Sequence, residues 1–161
     1  MAVPVSSSAL IQYAAQGDIA VVSLLIKAGL PVTTHEPLHL VTALHNAAAQ
    51  GHLKLSQQLI DGGADVNAAD INGMTPLINA VYGGHLELAK LLLKHQANPA
   101  TVPRGSPTAL NLAIQRGDMP MFDMLLKSSA PTTLADVYGQ TPLMLAQRLK
   151  RVPMADRLPP G

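Results

Sequence analysis

The sequence predicts an all-α fold, a solenoid of stacked two-helix units, on three observations. Leu10, Leu44, Leu77, Leu110 and Leu143 recur at spacings of 34, 33, 33 and 33 residues. Seven residues after each of the first four stands a glycine: Gly17, Gly51, Gly84 and Gly117. Of the 161 residues 48% are hydrophobic but only 2% aromatic, so the core must be made of Leu, Ile, Val, Ala and Met. These are the side chains of closely stacked helices, and a fixed period with a constant internal pattern marks an array rather than a globule around one centre.

Each unit after the first opens on a threonine: Thr42, Thr75, Thr108 and Thr141, with Pro76 and Pro142 behind two of them. A threonine hydroxyl can cap an orphan N–H, and proline at the first helical position has no N–H to leave unpaired. The short first helix that follows carries an inward column of small residues, Ala47, Ala80, Ala113 and Ala146, which lets neighbouring helices approach. The glycine then allows a tight turn. Asp18, His52, His85 or Asp118 ends that turn, and the aspartates are natural N-caps. Three aligned columns follow in the second helices: Ile19, Leu53, Leu86 and Met119; Val21, Leu55, Leu88 and Met121; Leu25, Leu59, Leu92 and Leu125. Together they are expected to form one broad buried helical face. Pro120 falls in a first turn, where it does little harm. Gly29 with Pro31, Gly62-Gly63, Asn98-Pro99 and Ser128-Ser129 with Pro131 break the chain into loops before each next threonine.

The period, the Thr75-Pro76-Leu77 start, the Gly84-His85 turn and the exit from Gly63 to Ala68 together resemble the ankyrin repeat. The resemblance implies a β-turn finger and two antiparallel helices per unit. It covers about residues 7–158 as a single domain, with repeats at about 7–40, 41–73, 74–105, 106–139 and a truncated C-terminal cap at 140–158. Residues 1–6 are expected to be a disordered N-terminus and 159–161 a tail. Departures fall at the ends, where Tyr13 replaces the small alanine and Pro153 shortens the last unit, as expected of sealing caps. The link from 30 to 41 is one residue longer than the others and lacks the Asp-x-x-Gly finger, which leaves its shape open.

One string suggests catalysis. His35-Glu36-Pro37-Leu38-His39 matches H-E-x-x-H, in which two histidines one helical turn apart hold zinc and the glutamate acts as base. That chemistry needs a helix, and Pro37 at its centre costs about 3 kcal/mol there. A metal-dependent hydrolase on His35 and His39 is therefore the disfavoured alternative. The resemblance gives His45, His52 and His85 a structural role, as hydrogen-bond donors to turns between repeats. Asn67 stands where the family sometimes carries asparagine hydroxylation, although a turn asparagine bonded to its own backbone suffices. No P-loop, G-x-S-x-G or G-x-G-x-x-G string occurs, and cysteine is absent. No catalytic residue, metal or cofactor is expected.

The net charge of +1 gives no reason to expect nucleic acid or an anionic membrane as partner. No apolar run of about 18 residues exists, and the first residues lack the basic and apolar regions of a secretory signal, so a cytoplasmic monomer is expected. Arg148, Lys150, Arg151 and Arg157 read as a solvated cap face.

The resemblance also implies a concave binding surface made by the fingers and the exposed side of the first helices. Its positions here are Leu38, His39 and Val41; Ile71, Asn72 and Met74; Arg104; Val137 and Tyr138 in the fingers; and Gln50, Tyr82, Gln115, Arg116 and Arg148 in the first helices. Tyr and Arg are enriched at the energetic centres of interfaces, which singles out Tyr82, Tyr138 and Arg116, with Met74 as apolar anchor. The implied function is a non-enzymatic module that binds another protein, as adaptor, inhibitor or immunity-type protein. A structural subunit that self-associates through apolar fingers is the second alternative.

Overall fold

The computed structural model describes residues 6–160. The expected disorder of 1–5 and the last tail residue thus lie outside the described residues. Ser6 is placed, and its hydroxyl accepts from the Ala9 N–H as the cap of the first helix.

Among the described residues ten helices follow in antiparallel pairs: α1 Ser7–Gln16 and α2 Ile19–Lys27, α3 Ala43–Ala49 and α4 Leu53–Asp61, α5 Pro76–Gly83 and α6 Leu86–Lys94, α7 Ala109–Arg116 and α8 Met119–Lys127, α9 Pro142–Arg148 and α10 Val152–Ala155. Among the described residues there is no strand, only an isolated bridge between His35 and Thr42. The starts are those the sequence signals. Thr42, Thr75, Thr108 and Thr141 each accept a bond from the N–H three residues on, and Asp18 and Asp118 cap the second helices in the same way.

The first helices pack on one another far more closely than the second helices do. Ala47, Ala80, Ala113 and Ala146 are fully buried in that row, so backbones can approach where no bulk intervenes. The second helices, which carry bulkier side chains, touch one another less. The core is continuous from Leu10 to Leu158 rather than centred on one unit.

One expected column is misplaced. Ile19 and Leu53 are 39% and 41% exposed, and Leu86 and Met119 are only half-buried. At about 100° per residue, the first position of each second helix points well over a quarter-turn away from the third and seventh. The column that completes the inward face is instead the fourth: Val22, Ser56, Ala89 and Phe122, all fully buried. Leu25, Leu59, Leu92 and Leu125 lie in the core as expected, as do Leu55, Leu88 and Met121, with Val21 half-buried in the first unit.

The last unit is short, for α10 is a single turn with Pro153 inside it. It still seals the stack, since Met154 and Leu158 turn inward. At the other end Tyr13 lies half-buried against the core beside fully buried Ala14.

Candidate functional site

The fingers are held by carboxylates. Asp70 Oδ1 accepts the N–H groups of Asn72 at 2.8 Å and Met74 at 2.9 Å. Asp136 Oδ1 accepts those of Tyr138 at 2.9 Å and Gln140 at 3.1 Å. Each turn closes through a left-handed glycine, Gly73 at φ 76° and Gly139 at φ 73°.

The long first link uses the same device with other residues. Glu36 accepts from Leu38 N at 2.9 Å and His39 N at 2.7 Å, and its own N–H donates to Val41 O at 2.8 Å. These bonds, with Leu38 first, hold the Glu36 carboxyl below its ordinary range. Leu40 takes the left-handed place at φ 60°. Glu36 is one methylene longer than aspartate and spans a loop one residue longer. The H-E-x-x-H string is therefore a finger turn and not a helix: its glutamate is bonded to backbone and to His39 Nδ1 at 3.0 Å. Among the described residues no three His, Asp or Glu side chains are grouped to hold a metal.

The units are joined by side chains that reach carbonyls at the ends of the preceding first helices. His52 Nε2 lies 3.2 Å from Ala15 O, and His85 Nε2 lies 3.1 Å from Ala49 O. Gly51, at φ 76°, leaves the space the His85 ring occupies; a Cβ there would come within 2.5 Å of the ring. In the next two interfaces arginine takes over. Arg116 Nη1 donates to Tyr82 O at 2.9 Å, and Arg151 Nη2 donates to Gln115 O at 3.3 Å. A second rung runs nearer the fingers, where His45 Nε2 reaches Met74 O at 3.0 Å and Asn111 Nδ2 reaches Gln140 O at 2.9 Å.

These contacts revise two readings and add a role in a third. Arg116, named as a partner contact, is exposed and also holds a repeat interface. Of the basic C-terminal residues, Arg151 joins units and Arg157 pairs with Asp123, leaving Arg148 and Lys150 as the solvated members. Asn67 spans repeats rather than bonding its own backbone, with Nδ2 to Gln96 O at 3.1 Å and Oδ1 accepting Asn98 N at 2.7 Å.

The remaining named residues fall on the finger and first-helix side. Leu38, Tyr82 and Tyr138 are 68%, 65% and 63% exposed. His39, Gln50, Ile71, Asn72, Arg104, Gln115, Val137 and Arg148 are also exposed, whereas Val41 and Met74 are half-buried. Four of them converge. Asn72, Met74, Tyr82 and Gln115 line an open hollow of about 500 Å³ together with Gly105, Ser106, Pro107 and Leu112. Arg148 lines a second hollow with Gln140, Met144 and Gln147. Sequence reading missed Leu112 and Met144. Leu112 is legible as the break in the series Asn46, Asn79, Leu112: the two asparagines donate to Ile11 O and His45 O, and the leucine cannot.

The comparisons with known proteins agree with this architecture. A family model described as ankyrin repeats (3 copies) matches residues 10–103, and one described as ankyrin repeats (many copies) matches residues 84–126. A curated relative, the potassium channel AKT3 of Oryza sativa subsp. japonica, is 34% identical over 61 residues, which is 38% of this chain. The match spans only 7% of the channel's own length. With its pattern of capped helix pairs, joined fingers and matched family models, the chain belongs to the ankyrin-repeat family.

Proposed function

We propose that this chain is a non-catalytic module that binds a partner protein through its fingers and the exposed side of its first helices. Ankyrin repeats are protein–protein interaction modules, and the exposure of Tyr82 and Tyr138 with the hollow that Tyr82 and Gln115 line supports that use here. The observation that carries the reading is the hollow lined by Asn72, Met74, Tyr82, Pro107, Leu112 and Gln115. It combines an apolar floor with amide groups and an exposed tyrosine, the composition of an interface centre. Acting as adaptor, inhibitor or immunity-type protein, the chain works as a cytoplasmic monomer. No helix among the described residues is long and apolar enough to cross a membrane. The hydrolase alternative loses its support with the helix that its ligands would need.

Affinity capture from the native cell tests the proposal, with wild type beside Tyr82→Ala/Gln115→Ala. Arg116 is left intact because it joins two repeats. A protein retained by wild type and lost from the variant is the expected result; identical eluates from two equally folded baits would refute the assignment of this face.

A further inference from the structure

Charge is divided unevenly along the stack. Up to residue 100 carboxylates outnumber lysines, and from 101 onward cations outnumber carboxylates. Most carboxylates of the C-terminal half are engaged. Asp118 caps α8, Asp123 pairs with Arg157, and buried Asp136 spends Oδ1 on its finger and Oδ2 on Asn111 at 3.0 Å. Among the described residues Arg104 and Arg148 have no carboxylate partner. Arg116 donates to a neutral carbonyl, which fixes its guanidinium without cancelling its charge.

Two of these cations stand next to residues that line the apolar hollow, and the third lines a hollow on the following unit. Arg104 directly precedes its wall residue Gly105, with its N–H fixed to Asn72 O at 2.8 Å. Arg116 follows the wall residue Gln115 and touches the backbone of the wall residue Tyr82. Arg148 lines a second hollow, on the following unit, and neither hollow is lined by a carboxylate.

We propose that the C-terminal half of the finger face takes an acidic segment of a partner protein. An apolar side chain of that segment seats on Met74, Pro107 and Leu112, and its carboxylates meet Arg104, Arg116 and Arg148. Guanidinium pairs bind carboxylates in bidentate fashion, and complementary charge steers encounter as well as register. A phosphate backbone is the poorer occupant. Its floor would be Met, Pro and Leu, side chains that offer a phosphate no hydrogen bond. This proposal rests on the protein-binding reading of the same face and adds the chemistry of what binds.

The test pans a random dodecapeptide display library against the full chain and measures the enriched peptides in solution. Enriched peptides are expected to carry two or more Asp or Glu beside an apolar residue. Their affinity should fall about tenfold in Arg104→Glu/Arg148→Glu and stay unchanged in Lys90→Glu/Lys94→Glu on the outer helices, as expected for charge pairs at an interface. Arg104→Gln/Arg148→Gln, with thermal melts of every variant, separates lost charge from lost fold. Neutral or basic peptides that still depend on Tyr82 would overturn the acidic chemistry and leave the binding face standing. Acidic peptides sensitive only to the Lys90/Lys94 reversal would overturn both. No enrichment, or tighter retention of single-stranded RNA than of any peptide, would overturn the proposal.

Discussion

Arg116 stands to Tyr82 as His85 stands to Ala49: each donates to a carbonyl at the C-terminal end of the preceding first helix, at 2.9 and 3.1 Å. Those carbonyls have no partner within their own helix, and a donor from the next repeat satisfies them while locking the register of the stack.

The rail predicts what its removal does. His85→Ala and Arg116→Ala should each lower the stability of the array by about 1 kcal/mol, the net worth of such a bond. Urea unfolding followed by circular dichroism measures it.

His45 predicts a pH dependence. Its Nε2 is bonded to Met74 O, and Nδ1 accepts from Thr42 N at 3.2 Å, so the buried ring is held neutral. Burial, the main cause, pushes its pKa below 6.5. The unfolded chain therefore takes up a proton before the folded one does. Stability should fall as pH drops from about 6.5 toward the lowered folded value, and this group should add nothing above that window. His45→Asn, which copies Asn111, should flatten that slope in melts between pH 5 and pH 7.

Ser56 occupies a fully buried place that alanine holds in the next unit, at Ala89, and its hydroxyl has no hydrogen-bond partner. Ser56→Ala should raise stability by about 1 kcal/mol, the relief of an unsatisfied buried polar group. Chemical denaturation midpoints would register the gain.

Leu40 sits at φ 60° where the other two carboxylate-held fingers have glycine. Leu40→Gly should be tolerated, while the β-branched Leu40→Val should cost about 1 kcal/mol or more and loosen the first finger. Amide exchange at Leu38 and His39, both bonded to Glu36, would report the loosening.

Period and caps were legible in the sequence because they are local. Thr42, Thr75, Thr108, Thr141, Asp18 and Asp118 act within three residues of where they stand. The columns were legible only in part, because an alignment of apolar residues does not give their rotation about the helix, and Ile19 and Leu53 share a column without sharing the core. The functions of Glu36, Arg116 and Arg151 lay beyond local reading. Glu36 replaces an aspartate by lengthening both side chain and loop, and Arg116 reaches a carbonyl 34 residues away from a place two residues before that of His52 and His85. The hollow at Tyr82 needed four segments brought together, with Leu112 as its silent member.

Hydrogen exchange of the chain with and without its captured partner tests the role of the concave face most directly. Protection confined to the tips around 71–74, 104–107 and 137–140 and to the exposed ends of α5, α7 and α9 is the expected pattern. Protection of α4, α6 and α8 with those tips unchanged would place the partner on the outer helices and contradict the account.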